Sequence, residues 1–95
     1  MFMPDALNLL SNLIGQDVVV DMRSTFVCLG TLKTVDDRWF ILTDADLHDL
    51  RDTPTNRENY VAESKMTGIK RNRTEVYLNT AEVVAVTRFD DLIDE

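Results

Sequence analysis

Val18-Val19-Val20-Asp21-Met22, followed by Phe26-Val27-Cys28-Leu29-Gly30-Thr31-Leu32-Lys33-Thr34-Val35-Asp36-Asp37-Arg38-Trp39-Phe40-Ile41-Leu42-Thr43, is the stretch that decides the architecture. Its β-branched and aromatic residues predict a first strand, a turn at Arg23-Ser24-Thr25, and two long strands over 26–35 and 39–45 joined at an acidic tip. The turn lacks the Asn-Gly of a tight hairpin. Gly30, inside an otherwise apolar strand, marks a sharp bend or a close backbone approach. Asp36 and Asp37 beside Arg38 and Trp39 bring charge and an aromatic plane to the tip, which suits a small bent barrel with a ligand-binding hairpin.

Upstream, Ala6, Leu9, Leu10, Leu13 and Ile14 follow the spacing of one helical face, so a helix is expected over about 4–14. Pro4 and Asp5 fit its first turn, and Gly15 is placed to end it in the left-handed conformation. Its apolar stripe would cover the open end of the barrel. Downstream, the pattern dissolves over 47–72 into Asp, Arg, Thr, Pro54, Asn56 and Gly68, with only Tyr60-Val61-Ala62 looking extended. A long loop with strand extensions at its ends is expected there, longer than ordinary connections. Two last strands are expected at 75–78 and 82–87, with a turn at Asn79-Thr80-Ala81. An acidic tail over 90–95 is expected to fray, with Leu92 and Ile93 available to dock on a neighbour.

The chain has 95 residues, enough for one domain that buries about 60 to 65% of its unfolded surface. No apolar run approaches the roughly 20 residues of a membrane-spanning helix, and no basic secretory leader opens the chain, so no membrane partner and an intracellular setting, cytoplasmic or nuclear, are expected. A net charge of −7 opposes indiscriminate binding to polyphosphate, so any nucleic-acid site must be local. Cys28 is the only cysteine and reads as a small packed residue, not a disulfide or metal ligand. Asp44, Asp46 and His48 would share a face if their strand persisted, but they read as a solvated polar strand end. No Ser-His-Asp set, phosphate-cradling glycine loop or Cys-His cluster is present, so neither an enzyme, a metal nor a cofactor is expected.

The order of elements, one helix and then five antiparallel strands in a strongly bent sheet forming a small open barrel, resembles the Sm/LSm family. Gly30, Leu32, Val35, Asp36 and Trp39 fall without a gap on its first motif, here placed within about 18–45. Its second motif, within about 75–88, is matched by Leu78-Asn79-Thr80 and Val83-Val84-Ala85-Val86. The resemblance implies RNA binding, with a uracil-type base stacked on Trp39 and Asp36 supporting the hairpin. Two departures matter. Phe40 stands where the family has its base-reading asparagine, and Asn79 and Thr80 replace its arginine and glycine.

Phe40 offers no hydrogen bond to a base edge, whereas a Trp39-Phe40 pair would stack bases with little regard to sequence. Asn79 is left as one polar contact, so the expected preference is weak or altered. The resemblance and the apolar edge at 83–87 also imply a homomeric ring, in which that edge pairs with 75–79 of the next copy. Other Sm-like or RNA-processing proteins are further candidate partners. Lys65, Lys70, Arg71 and Arg73 form a basic island, and Lys70, Arg71 and Arg73 are candidate phosphate contacts. The competing reading is a protein-interaction scaffold that has lost nucleotide binding.

Overall fold

The computed structural model describes residues 9–93. Five strands, β1 (Asp17–Met22), β2 (Phe26–Val35), β3 (Trp39–Asp49), β4 (Arg73–Asn79) and β5 (Val83–Arg88), form one antiparallel sheet in the order β4-β3-β2-β1-β5. The expected helix over 4–14 lies partly outside the described residues. Residues 9–11 are helical, and Gly15 at φ 86° ends the segment in the left-handed region. The Gly15 N–H then donates to the Leu32 carbonyl at 2.8 Å, and the Leu32 N–H to that of Gln16 at 3.0 Å, which fastens the segment to β2.

Alternation along the strands sorts apolar residues onto two faces. Val18, Val20, Leu32, Phe40, Leu42 and Leu78 belong to an inner core that Leu10 and Leu13 help to cover. Val19, Val27 and Leu29 face the other way. β1 and β2 are therefore covered on both sides, which accounts for the unbroken burial of Val18, Val19 and Val20. Gly30 is fixed by close approach: a Cβ there would lie 3.0 Å from both Ala45 Cα and Ala45 Cβ and 3.1 Å from the Thr43 carbonyl oxygen. Register shifts on either side of Leu32 add to the bend at this point.

The strand extensions expected at the ends of 47–72 are present, β3 running on to Asp49 and β4 starting at Arg73, but the loop between them gives way to a helix, α1 (Arg57–Thr67). Tyr60-Val61-Ala62 lies within that helix. Asn56 caps its start by accepting from the Asn59 N–H at 2.8 Å, and Gly68, at φ 98°, closes its end by donating to the Ser64 carbonyl at 2.8 Å. The caps and the burial of Tyr60 and Val61 against Val19, Val27 and Leu29 override the local preference of a Tyr-Val pair for strand. The tail is likewise tied down as far as it is described. Phe89–Asp91 forms a 3-10 turn, Arg88 pairs with Asp91 at 3.0 Å, and Leu92 packs on the second cluster.

Candidate nucleic-acid interface

The β2–β3 tip is built by one carboxylate. Oδ1 of Asp36 accepts from the backbone N–H groups of Arg38 at 2.8 Å and Trp39 at 2.7 Å, while the Asp36 N–H donates to the Trp39 carbonyl at 3.0 Å. These donors, Arg38 N–H foremost and then Trp39 N–H, hold the Asp36 carboxyl below the usual carboxylate range. The supporting part expected of Asp36 thus has a concrete form: it fixes the backbone that carries Trp39.

The second loop is locked to the first. Thr80 donates from its N–H to the Arg38 carbonyl at 2.9 Å and from Oγ1 to the Asp37 carbonyl at 3.0 Å. Asn79 faces Trp39 across the β3–β4 ladder, and its Oδ1 accepts from the Ala81 N–H at 2.9 Å, capping the 3-10 turn Thr80–Glu82. Asp36, Trp39, Asn79 and Thr80 are therefore brought together. Asp36 Oδ1, Asn79 Oδ1 and Thr80 Oγ1 are engaged in holding the two loops, and the amide nitrogen of Asn79 remains as its donor toward a ligand.

Phe40 does not join them. It is 1% exposed and lies in the inner core with Leu42 and Leu78, because successive residues of a strand point to opposite faces. The expected Trp39-Phe40 stacking pair is corrected on this ground. Trp39 instead meets Tyr77, two residues before its ladder partner, in an edge-to-face contact with centroids 6.3 Å apart and planes at 70°. Tyr77 is 56% exposed. Sequence reading overlooked it, although strand alternation from Asn79 places Tyr77 on the same face as Trp39.

The basic island is divided. Lys70 lies 3.7 Å from Glu63, and Lys65 donates to the Leu92 carbonyl at 3.1 Å. Arg71 and Arg73 line a cavity of about 270 Å³ together with Asp44, Asn72 and Thr74. Arg73 Nη1 donates to the Asn72 carbonyl at 3.0 Å. Arg73 is opposite Ala45, whereas Asn79 is opposite Trp39. Six residue steps along β4, about 20 Å, separate Arg73 from Asn79 at the tip.

The expectation of a solvated strand end holds for Asp44, which is exposed, and is corrected for Asp46 and His48. Asp44 adopts φ 48°, and the alternation of β3 changes phase there: Phe40 and Leu42 point inward before it, Ala45 after it. Asp46 is consequently buried under α1, at 2% exposure. Its carboxylate accepts from the Tyr60 hydroxyl and from Asn72 Nδ2, the latter at 3.1 Å. His48 stacks on Tyr60 with centroids 4.1 Å apart and planes at 11°. Among the described residues no group of three His, Cys, Asp or Glu side chains is arranged to hold a metal ion. Burial pushes the Cys28 thiol up to about 12, leaving it protonated and unreactive at neutral pH. No helix among the described residues is long and apolar enough to cross a membrane.

A bent five-stranded antiparallel sheet of order β4-β3-β2-β1-β5, preceded by a short helix, is the Sm-like fold. Comparison with solved structures agrees. The Sm protein of Pyrococcus abyssii, solved in complex with a uridine heptamer, superposes with a TM-score of 0.60 at 17% identity, over 92% of this chain and 99% of that one. An Sm-like protein from Archaeoglobus fulgidus superposes with a TM-score of 0.58 at 20% identity, over 93% of this chain and 96% of that one. No family model matches the sequence, and no curated protein matches it.

Proposed function

We propose that this protein is an RNA-associated, Sm-like ring subunit that holds single-stranded RNA by stacking at Trp39, with weak or altered base preference. The observation that carries this reading is the tip itself: an aromatic plane whose backbone is held by Asp36, on a loop that Thr80 ties to the neighbouring loop and whose Asn79 oxygen is taken up by the Ala81 N–H. Stacking on such a plane contributes on the order of 1–3 kcal/mol per base for any sequence. Discrimination would need buried polar groups left unpaired by the wrong base, and Phe40, turned into the core, supplies none. Catalysis has no part in it. The uridine heptamer bound by the Pyrococcus abyssii protein lends support from the fold.

The two sheet edges support the ring. Among the described residues β4 and β5 have no strand partner on their outer sides, and Val84 on β5 is 67% exposed. Pairing β5 of one copy with β4 of the next would satisfy both ladders and remove two templates for uncontrolled aggregation. Light scattering that finds a stable monomer at micromolar concentration would overturn the ring.

Fluorescence anisotropy with short U-rich, A-rich and mixed RNAs tests the stacking site. Similar affinities are expected across the three, with a loss of roughly five- to hundredfold in Trp39→Ala. The commitment of Asn79 and Thr80 to the loops favours a second reading, a protein-interaction scaffold without nucleotide binding. Absence of RNA binding at low salt would decide for the scaffold.

A further inference from the structure

The outer face of β3 and β4 carries more than the tip. Strand alternation puts Trp39, Ile41 and Thr43 on the face opposite Phe40 and Leu42, and puts Arg73, Glu75, Tyr77 and Asn79 opposite Val76 and Leu78. The aromatic pair Trp39 and Tyr77 occupies one end of this face. At the other end Arg71 and Arg73, both exposed, line the cavity of about 270 Å³, and neither guanidinium has a carboxylate partner among the described residues. Asp44 closes one side of that cavity with a single opposing charge. Between the two ends stands Glu75, whose carboxylate is matched by the Lys33 ammonium at 2.8 Å. The face thus runs from stacking surface, through a neutralised middle, to free positive charge.

Resting on the reading above, we infer that the outer face of β3 and β4 is the track along which single-stranded RNA lies, with bases on Trp39 and Tyr77 and phosphates on Arg71 and Arg73. The occupant is set by this complementarity. In a chain of net charge −7, aromatic planes four and six strand steps from Arg73, about 13 and 20 Å, match together with the two guanidiniums a polymer that alternates stacking bases with phosphates. The guanidinium fork suits phosphate oxygens in particular. Ring closure through the β4 edge would use backbone groups and leave these side chains on their face.

The test is RNA affinity as a function of oligonucleotide length and salt, on the full chain. A short oligonucleotide reaches only the aromatic end, and a longer one reaches both. The double variant Arg71→Gln/Arg73→Gln should leave the short RNA's affinity unchanged, weaken the long RNA, and lower its log-affinity against log-salt slope by about 1.4, two contacts at about 0.7 each. Arg71→Lys/Arg73→Lys should keep most of the slope, which separates lost charge from lost fold. Tyr77→Ala should weaken both lengths. An unchanged slope in the Gln variant, with wild type binding and Trp39→Ala impaired, overturns the track and leaves the stacking site standing. Failure of wild type to bind any RNA overturns both.

Discussion

The two ends of β3 solve the same problem in opposite ways. At the Trp39 end, a polar side chain is exposed and satisfies backbone groups within three residues of itself: Asp36 holds Arg38 and Trp39. At the other end, a carboxylate is buried and depends on groups far along the chain: Asp46 accepts from Tyr60, 14 residues on, and from Asn72, 26 residues on. A local, solvated arrangement is cheap to alter and forms with its own turn. A buried, distant one forms only when α1 and β4 are both in place, and any single loss leaves a polar group unpaired in a poorly screened site. The first end is suited to evolve new contacts; the second holds the sheet and helix together.

Phe40, next to the tip but turned into the core, carries the largest expected effect. Phe40→Ala should cost about 3–5 kcal/mol, since it removes a fully buried aromatic ring from the inner core. For a domain of this size each kcal/mol lowers Tm by roughly 4–8 °C. Phe40→Asn, which supplies the residue type that reads a base in the resembling family, should cost at least as much, because its amide would face Leu42 and Leu78 and not a ligand. Urea denaturation at fixed protein concentration measures both. A folded Phe40→Asn protein with new preference for uridine would show that the side chain can turn to the outer face, against the alternation of β3.

A smaller loss is expected at the buried end. Tyr60→Phe keeps the ring that stacks on His48 but removes the donor to Asp46, and should cost about 1–3 kcal/mol. The same bond makes a prediction in alkali. Burial, and then the bond to Asp46, raises the Tyr60 hydroxyl above the usual tyrosine value. The folded state therefore holds its proton more tightly than the unfolded chain, so the stabilisation is full below about pH 10 and falls as pH rises beyond it. Tyr60→Phe should be less stable than wild type at neutral pH and should lose less on going to pH 11. Parallel pH–stability curves for the two proteins would refute the bond's role.

The difference between the ends also explains what the sequence discloses. Gly30, Leu32, Val35, Asp36 and Trp39 lie within ten residues, and the physics that selects them is local: a bend too close to Ala45 for a Cβ, an aspartate that caps its own turn. Phe40 was legible too, since period-2 alternation with Leu42 already assigns it to the core. α1 is harder to read. Its caps, Asn56 and Gly68, are visible, but its buried stripe is only Tyr60, Val61 and Ser64, and the surface it covers belongs to β1 and β2. Asp46 is harder still, because its burial depends on the phase change at Asp44, and an aspartate tolerates φ above zero without announcing it. Tyr77 and Trp39 became neighbours only through the β3–β4 register.

The smallest effect belongs to the exposed tip. Asp36 titrates below the ordinary carboxylate range because its charged form accepts two backbone hydrogen bonds, so folding is favoured by its ionisation. That contribution is present above about pH 4, the unfolded value, and disappears as pH falls through the lower folded value. Protonation frees the Arg38 and Trp39 amides, and the tip should loosen while the sheet, whose hydrogen bonds do not involve this group, persists. Trp39 is the chain's only tryptophan, so its emission reports the tip without interference. Acid titration of wild type should move that emission before far-UV circular dichroism changes. Asp36→Asn, which keeps an oxygen acceptor but no titrating proton, should abolish the early step. If the two signals move together in wild type, the tip and the buried end form one cooperative unit, and the contrast between the ends of β3 fails.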